Sequence, residues 1–444
     1  MRYFLFQLAR KGSVLILAVM ITGCAGFGVG AQAPSVPTST PAPTPTPAAV
    51  STTSPGPVKV GTLSPTIDML VQQVLTNMHL HAWNPMAMSK NVVTGGLFIN
   101  WNMIDPAVTN DVRPGPDGNP QHNHDPQVDL LYLTSLAQYQ LLHPQDHSFD
   151  ADLSRATKLV LADFPNYSVP KGWIYFYLLK NGLMLHNTDL VNEAYKAASN
   201  FYTQWYDPAL GVVYDRKHTP GDYQTNHTLQ CGAALIDAGL RWHRQEWVDA
   251  GEKTIDHTIA VGIDPFYHQF YNSMIVSSDG HDHVQNYQDK PSTQGEAAGA
   301  LITAYLLTHR QQYLDTAGLV LQNLFGSSGL WDKTNGGLFF ALDMSTGKLL
   351  NGYKETRSQT LTLISLNEYN QVKQQAFALQ EQQLISVLTD HFYQHTYHGF
   401  FYRVAPNFQV YVSRPGAGIG VEDYFTTEAM GSSLDALQQT ELIQ

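Results

Sequence analysis

The sequence predicts an all-α protein in which six helical hairpins close into a double-ring toroid, with short β-hairpin insertions on one face. Three observations predict this fold. A Gly-aromatic phrase recurs along the chain, apolar residues recur at helical spacing in twelve segments, and the links between these segments alternate in length.

The Gly-aromatic phrase marks the repeat. It reads Gly96-Leu97-Phe98, Gly211-Val212-Val213-Tyr214, Gly337-Leu338-Phe339-Phe340 and Gly399-Phe400-Phe401-Tyr402. The marking glycines are 115, 126 and 62 residues apart. Two gaps are about twice the third, so the unit is about 60 residues long with two degenerate slots.

Two kinds of helix alternate among the twelve segments. Residues 311–325 and 374–394 each carry one apolar stripe, as outer helices do. Segments containing Gly232-Ala233-Ala234-Leu235 and Ala297-Ala298-Gly299-Ala300-Leu301 carry small or apolar residues on several faces, as inner helices contacted from both sides would. The predicted helices are 66–80, 127–142, 149–163, 171–186, 188–206, 225–243, 246–261, 292–308, 311–325, 355–371, 374–394 and 423–438.

The links show on which face a site would form. Inner-to-outer links are short, such as Arg244-Gln245 and His309-Arg310. Outer-to-inner links are long and gather on the face where the inner helices begin. Because functional residues concentrate where loops cover a rigid scaffold, we expect the site there. The long links are 82–126, 207–224, 262–291, 326–354 and 395–422.

The N-terminal region has the pattern of an export signal. Basic residues at Arg2, Arg10 and Lys11 precede the apolar run 14–21, which ends at Ile21-Thr22-Gly23-Cys24. This ending resembles a bacterial lipobox, which implies cleavage of a 1–23 signal peptide and lipidation of Cys24. An ordinary signal peptide or a membrane anchor helix are the alternatives. Residues 24–63 then form a Pro/Thr-rich linker that cannot build a core, and 64–444 form the barrel.

Charge and cysteine content limit the possible partners. The formal net charge is −12, and removal of the signal region's three basic residues brings it to −15. An acidic body without a Lys/Arg cluster argues against nucleic acid and anionic polymers, so neutral or cationic ligands fit better. Of the two cysteines, Cys24 is the lipid site and Cys231 is predicted to be a buried apolar residue, which leaves no intramolecular disulfide.

Several phrases carry a family resemblance. Thr293-Gln294-Gly295, Trp331-Asp332 before Gly336-Gly337-Leu338, and Gly352-Tyr353-Lys354 before Ser358-Gln359 resemble secreted α-1,6-mannanases. Asn226-His227-Thr228-Leu229-Gln230 is similar to N-acylglucosamine and cellobiose epimerases. With the six hairpins, residues 64–444 resemble the (α/α)6 barrel of the six-hairpin glycosidase superfamily. The catalytic Asp-Asp pair of those mannanases has no counterpart, and the nearest adjacent acids are Glu422-Asp423.

Glycosidic cleavage needs two carboxyl groups, one as acid and one as base or nucleophile. Acids at the starts of inner helices are the candidates, although helix capping is an alternative reason for each of them. Asp125, for example, precedes a proline and suits an N-cap. The candidate catalytic residues are Glu296, Glu422, Asp423, Asp125 and Asp129.

Aromatic and polar residues of the same face are candidates for binding substrate, because sugar rings stack on aromatic side chains. Packing in the core is the alternative for the aromatic residues. These candidates are Trp101, Trp173, Tyr175, His227, Tyr353, Arg357, Gln359 and Tyr424.

Two histidine-rich runs were considered as metal ligands. His122-Asn123-His124-Asp125 and His281-Asp282-His283 place ligand-type residues at alternate positions. Solvated loop residues are the favoured interpretation, so no metal is expected. The chain also lacks a phosphate-binding glycine loop, and no cofactor is expected.

The sequence thus predicts a monomeric, lipid-anchored, extracytoplasmic glycoside hydrolase acting on a neutral glycan. One alternative is a non-catalytic lipoprotein that binds glycans or peptides on the same fold. The other is a sugar epimerase or polysaccharide lyase centred on His227.

Overall fold

The computed structural model describes residues 64–89, 92–109, 117–164, 169–217, 221–277, 280–326, 328–411 and 424–442. The predicted signal peptide, Cys24, the linker, Glu422 and Asp423 lie outside these residues. The described part contains twelve α-helices, which confirms the predicted fold class. None of these helices is both long and apolar enough to cross a membrane.

The helices follow the predicted positions closely. Two π-helical turns, Phe201–Trp205 and Leu388–Phe392, extend the fifth and eleventh helices towards the long links. The eleventh helix begins later than predicted because Gln374 and Gln375 have positive φ, which a helix cannot contain. The helices are α1 Pro65–His81, α2 Pro126–Leu142, α3 Asp150–Asp163, α4 Gly172–Met184, α5 Thr188–Asn200, α6 Thr225–Trp242, α7 Gln245–Gly262, α8 Pro291–Thr308, α9 Gln311–Phe325, α10 Thr356–Val372, α11 Ala378–Val387 and α12 Thr427–Leu442.

The even-numbered helices form an inner ring, in the cyclic order α2, α4, α6, α8, α10, α12 and back to α2. Each inner helix packs on the outer helix that follows it, and α12 packs on α1, so the two ends of the barrel complete its last hairpin. Small residues permit this packing. A Cβ at Gly172 would lie 2.2 Å from the backbone of Gln230, and one at Gly295 would lie 2.7 Å from that of Leu361.

Short antiparallel strands lie on the face where the inner helices begin. Paired strands are β1–β4, β2–β3, β5–β17, β6–β7 and β14–β15; two larger sheets have the orders β10-β9-β8 and β11-β12-β13-β16. The strands are β1 Trp83–Asn84, β2 Met88–Ser89, β3 Val92–Val93, β4 Gly96–Leu97, β5 Asn100–Asn102, β6 Tyr206–Asp207, β7 Val212–Val213, β8 Gly221–Gln224, β9 Ser273–Val276, β10 Asp282–Asn286, β11 Gln288–Asp289, β12 Phe339–Asp343, β13 Lys348–Glu355, β14 Tyr393–Gln394, β15 Gly399–Phe400, β16 Arg403–Val404 and β17 Tyr424–Thr426.

One turn recurs ahead of four of the insertions. Its last residue has positive φ and donates its N–H to the carbonyl four residues earlier, as in Gly211 to Asp207 and Gly336 to Asp332. His398 closes the same turn without glycine. His268, with φ 53°, fills the slot between Gly211 and Gly336 that the sequence repeat left degenerate. The other degenerate slot coincides with the α3–α4 link, which includes the undescribed residues 165–168.

The fourth residue of most inner helices anchors the insertion that precedes the helix. Its side chain accepts the N–H of an apolar residue of the insertion, as Gln359 Oε1 does from Leu338 at 2.8 Å and Gln294 Oε1 does from Phe270 at 2.9 Å. Asp129, Thr228 and Met430 occupy the same position and accept N–H groups from Leu97, Val213 and Phe400.

The first residue of three inner helices binds the next insertion around the ring. Thr225, Thr356 and Thr427 each donate a side-chain O–H to a carbonyl there, and each backbone N–H also reaches that segment. The last of these bonds runs from Thr427 to Phe98 and closes the ring. Most insertions are therefore held between two inner helices, which fixes the loops around the opening.

A buried ionic group joins α12 to α2 and α4. Asp435 is fully buried and accepts bonds from Lys180 Nζ at 2.9 Å and from Gln138 and Gln439 at 2.7 Å, with a further bond from the Tyr177 hydroxyl. These five residues are called the closure network. Every bond to the carboxylate comes from a different side chain, so its charge is well compensated.

Candidate active site

The starts of the inner helices place a group of charged side chains at one end of the barrel. Acids at these positions also benefit from the positive end of the helix dipole. The central five residues, here called the mouth cluster, come from α2, α4, α8, α10 and α12. They are Asp125, Lys171, Glu296, Arg357 and Glu428.

Arg357 is the centre of the mouth cluster. Its Nη2 lies 3.3 Å from Glu296 Oε1, and its Nη1 lies 3.5 Å from Glu428 Oε1. Asn226 Nδ2 donates to the other oxygen of Glu296 at 2.5 Å. The Arg357 and Glu428 side chains are 37% and 32% exposed, although protein surrounds them closely enough to shift both pKa values. Both side chains are therefore partly accessible to a ligand.

Burial and charge give these groups unusual proton affinities. Burial raises the pKa of Glu428 above that of an ordinary glutamate; Arg357 opposes the shift without cancelling it. Burial lowers the pKa of Lys171, and Arg357 acts in the same direction. For Arg357 itself burial acts to lower the pKa, but Glu296 and Glu428 outweigh it, so the guanidinium stays charged. Glu428 is thus the acid of this cluster best suited to hold a proton.

A histidine–aspartate pair lies at the start of α6. His227 Nδ1 donates to Asp215 Oδ1 at 3.0 Å, and Asp215 Oδ2 accepts the backbone N–H of Gln224 at 2.7 Å. The negative charge of Asp215 also acts on Lys171, so the pair borders the mouth cluster. Because Nδ1 carries the donated proton, Nε2 of a neutral His227 is able to accept one.

A cationic and aromatic wall is formed by strands β12, β13 and β16 and by residues beside them. Arg403 donates to Glu355 Oε1 at 3.2 and 3.3 Å and lies over the rings of Tyr353 and Tyr402. Tyr353 is only 5% exposed, so its ring supports Arg403 more than it presents a surface to a ligand. Lys290 lies over Phe340 on the same wall.

The structure brings four predicted residues together: Asp125, Glu296 and Arg357 in the mouth cluster, with His227 beside it. Trp173 and Tyr424 are half-buried; Trp173 meets Tyr177 edge to face and Tyr424 begins β17.

Four other predicted residues are buried structural groups, contrary to the sequence interpretation. Trp101 is fully buried against Phe425, and Tyr175 is fully buried with its hydroxyl bound to Asp237. Gln359 uses its amide to hold Leu338. Asp129 is 1% exposed, binds Leu97 N and His124, and burial raises its pKa to about 6. A ligand in the mouth cannot contact these groups, since neighbouring segments cover them.

The sequence interpretation missed Lys171, Asp215 and Glu428. Lys171 stands at an N-cap position, where a lysine is usually solvated, and Asp215 follows an insertion whose folding back cannot be read from the sequence. Glu428 was missed because α12 begins at Thr427 and not at residue 423: residues 424–426 pair with β5 instead. The helices α6, α10 and α12 each begin with a threonine, and Glu428 directly follows the threonine of α12. Aligning the three helices on this threonine would have identified Glu428 from the sequence.

The histidine runs do not converge as a pair of metal-binding motifs would. His122 binds Asp117 at 2.7 Å, and Asp282 binds His257 and Tyr223. In the described ranges, one group of three metal-capable side chains lies within ligand distance, and it contains His124 alone from the two runs.

Searches with the whole chain give a match by fold only. No protein-family profile and no curated protein matches the sequence. Three solved structures superpose on 84 or 85% of this chain: D-mannose isomerase (TM-score 0.63, 12% identity, 98% of that chain), an unsaturated glucuronyl hydrolase specific for heparin (0.62, 13%, 96%) and the α-1,6-mannanase GH76A from Salegentibacter sp. HEL1_6 (0.59, 11%, 100%). An inactive variant of that mannanase is in complex with α-1,6-mannotetrose.

These matches show the class of fold. The chain has the fold of a six-hairpin (α/α)6 barrel, which these solved structures share. At this level of identity the matches show the architecture, and the activity has to be argued from the side chains at the mouth.

Proposed function

We propose that this protein is an exported glycoside hydrolase that cleaves a neutral glycan at the mouth cluster. The observation that carries the proposal is the sharing of the partly exposed Arg357 by Glu296 and Glu428. Hydrolases and an isomerase that act on sugars share the fold, which supports a carbohydrate ligand.

Glu428 is the proposed general acid. Its raised pKa lets it keep a proton for the leaving glycosidic oxygen. Glu296 is the proposed base, since donors from Arg357 and Asn226 both point at its carboxylate. Both glutamates contact one guanidinium, at 3.3 and 3.5 Å, which sets an upper limit on the distance between their carboxylate oxygens. The closer carboxyl pair of a retaining enzyme and the wider pair of an inverting enzyme both satisfy this limit, so Glu296 acts either as the base that activates water or as the nucleophile.

The charge of the mouth favours a neutral substrate. Four acids face four cations there, so the floor and wall have little net charge. Sugar hydroxyls can donate hydrogen bonds to the acids and accept them from the cations. A multiply charged ligand would instead be repelled by the side chains that carry its own sign of charge. The eight residues are Asp125, Glu296, Glu355, Glu428, Lys171, Lys290, Arg357 and Arg403.

The N-terminal pattern extends the proposal to a location. A lipid on Cys24 and the Pro/Thr-rich linker would hold the barrel outside the cytoplasm and close to a membrane. Expression of the full chain and of Cys24→Ser in a bacterial host tests this: the first should fractionate with membranes and incorporate labelled palmitate, and the second should not. Equal labelling of both chains would contradict lipidation at Cys24.

The catalytic assignment is tested on residues 58–444 with a panel of neutral oligosaccharides. Glu428→Gln and Glu296→Gln should each lower kcat by about 10²–10⁴-fold, the usual contribution of a general acid or base. Glu193→Gln is the matched control, because Glu193 is also a largely buried, ion-paired glutamate but lies on outer helix α5 with Lys196. Retention of activity by both mouth variants would exclude this pair.

A sugar isomerase is the second candidate, and the His227–Asp215 pair is the observation that favours it. An isomerase needs a base beside a sugar carbon, and Nε2 of a neutral His227 can accept a proton because Nδ1 faces Asp215. Incubation with free aldoses in D₂O separates the candidates: an isomerase incorporates deuterium next to the carbonyl, and His227→Gln abolishes this. Binding to oligosaccharides without either reaction would instead support the non-catalytic alternative.

A further inference from the structure

A second group of ionisable side chains lies behind the mouth, between α2, α3 and the first insertion. His124 Nδ1 is 2.6 Å from Asp129 Oδ2 and 3.7 Å from Asp163 Oδ2. The three side chains are 5%, 0% and 3% exposed. One ligand atom from each residue lies within 4.8 Å of the other two.

The polar atoms around this group leave one acceptor unused. Asp129 Oδ1 binds Leu97 N, and Asp163 Oδ1 accepts from the Ser89 hydroxyl. Asp163 Oδ2 is buried, has no hydrogen-bond donor within reach among the described residues and faces the imidazole. A buried carboxylate oxygen without a donor is costly, and a bound cation would compensate its charge.

We propose that His124, Asp129 and Asp163 bind a first-row divalent cation such as Zn²⁺. The ligand types are those that zinc accepts, one imidazole nitrogen and two carboxylate oxygens. Tetrahedral ligands at the usual zinc distances are roughly 3.3–3.5 Å apart. The 3.7 Å contact is close to that spacing, and the 2.6 Å contact opens when the proton between His124 and Asp129 leaves to solvent.

The surroundings also suit a bound cation. His124 Nε2 lies 3.2 Å from the Ser89 hydroxyl, so it can keep its own proton and donate there while Nδ1 binds the metal, as metal-binding histidines usually do. Gly96 makes room for the His124 side chain, because a Cβ at this position would come within 2.9 Å of its Cβ and of two atoms of its ring. A cation would join α2, α3 and the first insertion directly behind Asp125.

The test uses the barrel, residues 58–444, unfolded in urea with a chelator and then refolded with or without Zn²⁺. Refolding with zinc should leave one zinc ion per chain after desalting and should raise Tm by several degrees. Asp163→Asn should reduce the affinity for zinc at least tenfold. Without metal this variant should melt at a higher temperature than the unchanged chain, because it removes a buried charge; with zinc the order should reverse.

His122→Gln is the matched control, since His122 also pairs with an aspartate but has no third ligand beside it among the described residues. This variant should keep both the zinc and the rise in Tm. His124→Gln is a second test of the site and should lose both. Failure of the unchanged chain to take up zinc, or equal zinc binding by Asp163→Asn, would overturn the proposal.

Discussion

The mouth cluster and the closure network are both built around ion pairs, in opposite arrangements. In the closure network one carboxylate, Asp435, receives several donors at 2.9 Å or less and is fully buried. In the mouth cluster one cation, Arg357, serves two carboxylates at 3.3 and 3.5 Å and remains more than a third exposed.

The difference shows what each group contributes. In the closure network several donors compensate the single negative charge of Asp435. The network lies where three inner helices meet and contributes to the stability of the ring. The mouth cluster has more acid than Arg357 can neutralise, and its proton affinities are shifted. The stability of the fold does not require several acids around one arginine. We therefore expect a ligand to bind, or a reaction to take place, at the mouth cluster.

The largest expected effect is on stability, at Asp435. Asp435→Ala leaves Lys180 buried without its partner and should lower the free energy of unfolding by about 3–5 kcal/mol. Urea unfolding measures the loss. The double variant Lys180→Met/Asp435→Leu should recover most of it, because neither charge then remains. A loss below about 1 kcal/mol would remove the contrast between the two groups.

The next effect is on activity, at Arg357. Arg357→Met should lower kcat/KM by about 10²-fold through loss of charge compensation. It should also move the alkaline limit of the pH profile upwards, because Arg357 holds down the pKa of Glu428. The free energy of unfolding should change by no more than about 1 kcal/mol, since the ion pairs are partly exposed.

Arg155→Met is the matched control for Arg357. Arg155 is 40% exposed and pairs with a buried aspartate, Asp152, on outer helix α3. Neither its activity nor its pH profile should change. An unshifted alkaline limit in the Arg357 variant, with activity retained, would mean that Glu428 is not the acid.

A third prediction compares the pH dependence of stability at Asp435 and at Asp289. Asp289 is equally buried but has no hydrogen-bond donor among the described residues. Within the described part of the chain neither of its oxygens has a hydrogen-bond partner, and burial raises its pKa to about 8. Gln294, whose amide is bound to Phe270, does not reverse this shift. The folded chain then holds a proton that the unfolded chain loses above about pH 4. Its contribution to stability is therefore full below pH 4 and is lost as pH rises towards 8.

Asp289→Asn should remove that decline and should be more stable than the unchanged chain at pH 8 by about 2 kcal/mol. Asp435→Asn should have the opposite sign. The pKa of Asp435 is lowered, since Lys180 and the other donors outweigh burial, so its contribution is present above about pH 4 and is lost in acid. Thermal melts from pH 4 to pH 8 compare the two; the same sign for both would contradict the assignments.

The smallest effect is expected at an anchor of the insertions. Gln359→Ala removes two bonds to Leu338 and should cost about 1–3 kcal/mol. Gln371→Ala is the control, because Gln371 lies on the same helix but bonds within it, to Asn367. Proteolysis of the loop around Gly336 should increase only in the first variant.

Local pattern was sufficient to predict most of the fold. Gly232 to Leu235 and Ala297 to Leu301 identified inner helices because an inner helix has no solvent face. The turn residue with positive φ could be recognised from the sequence only where it is glycine. His268 and His398 adopt the same left-handed conformation, which their residue type does not predict.

The site was less predictable because it depends on register between distant segments. Asp129 and Glu296 look alike as acids early in inner helices, yet one lies beneath an insertion and the other faces Arg357. The boundary of α12 depends on the pairing of β17 with β5, more than 300 residues away in sequence. Neither distinction is present in the local residue pattern.

The pairing of α1 with α12 has a consequence for synthesis. The first helix of the barrel finds its inner partner only when the last one has been made, so α1 remains half-covered while the intervening ten helices are assembled. Nascent chains should therefore bind chaperones through the apolar stripe of α1, Leu70, Val71, Val74, Leu75 and Met78. In a circularly permuted gene that starts at the His309-Arg310 link, α12 and α1 would be synthesised one after the other, so that α1 would meet its inner partner early.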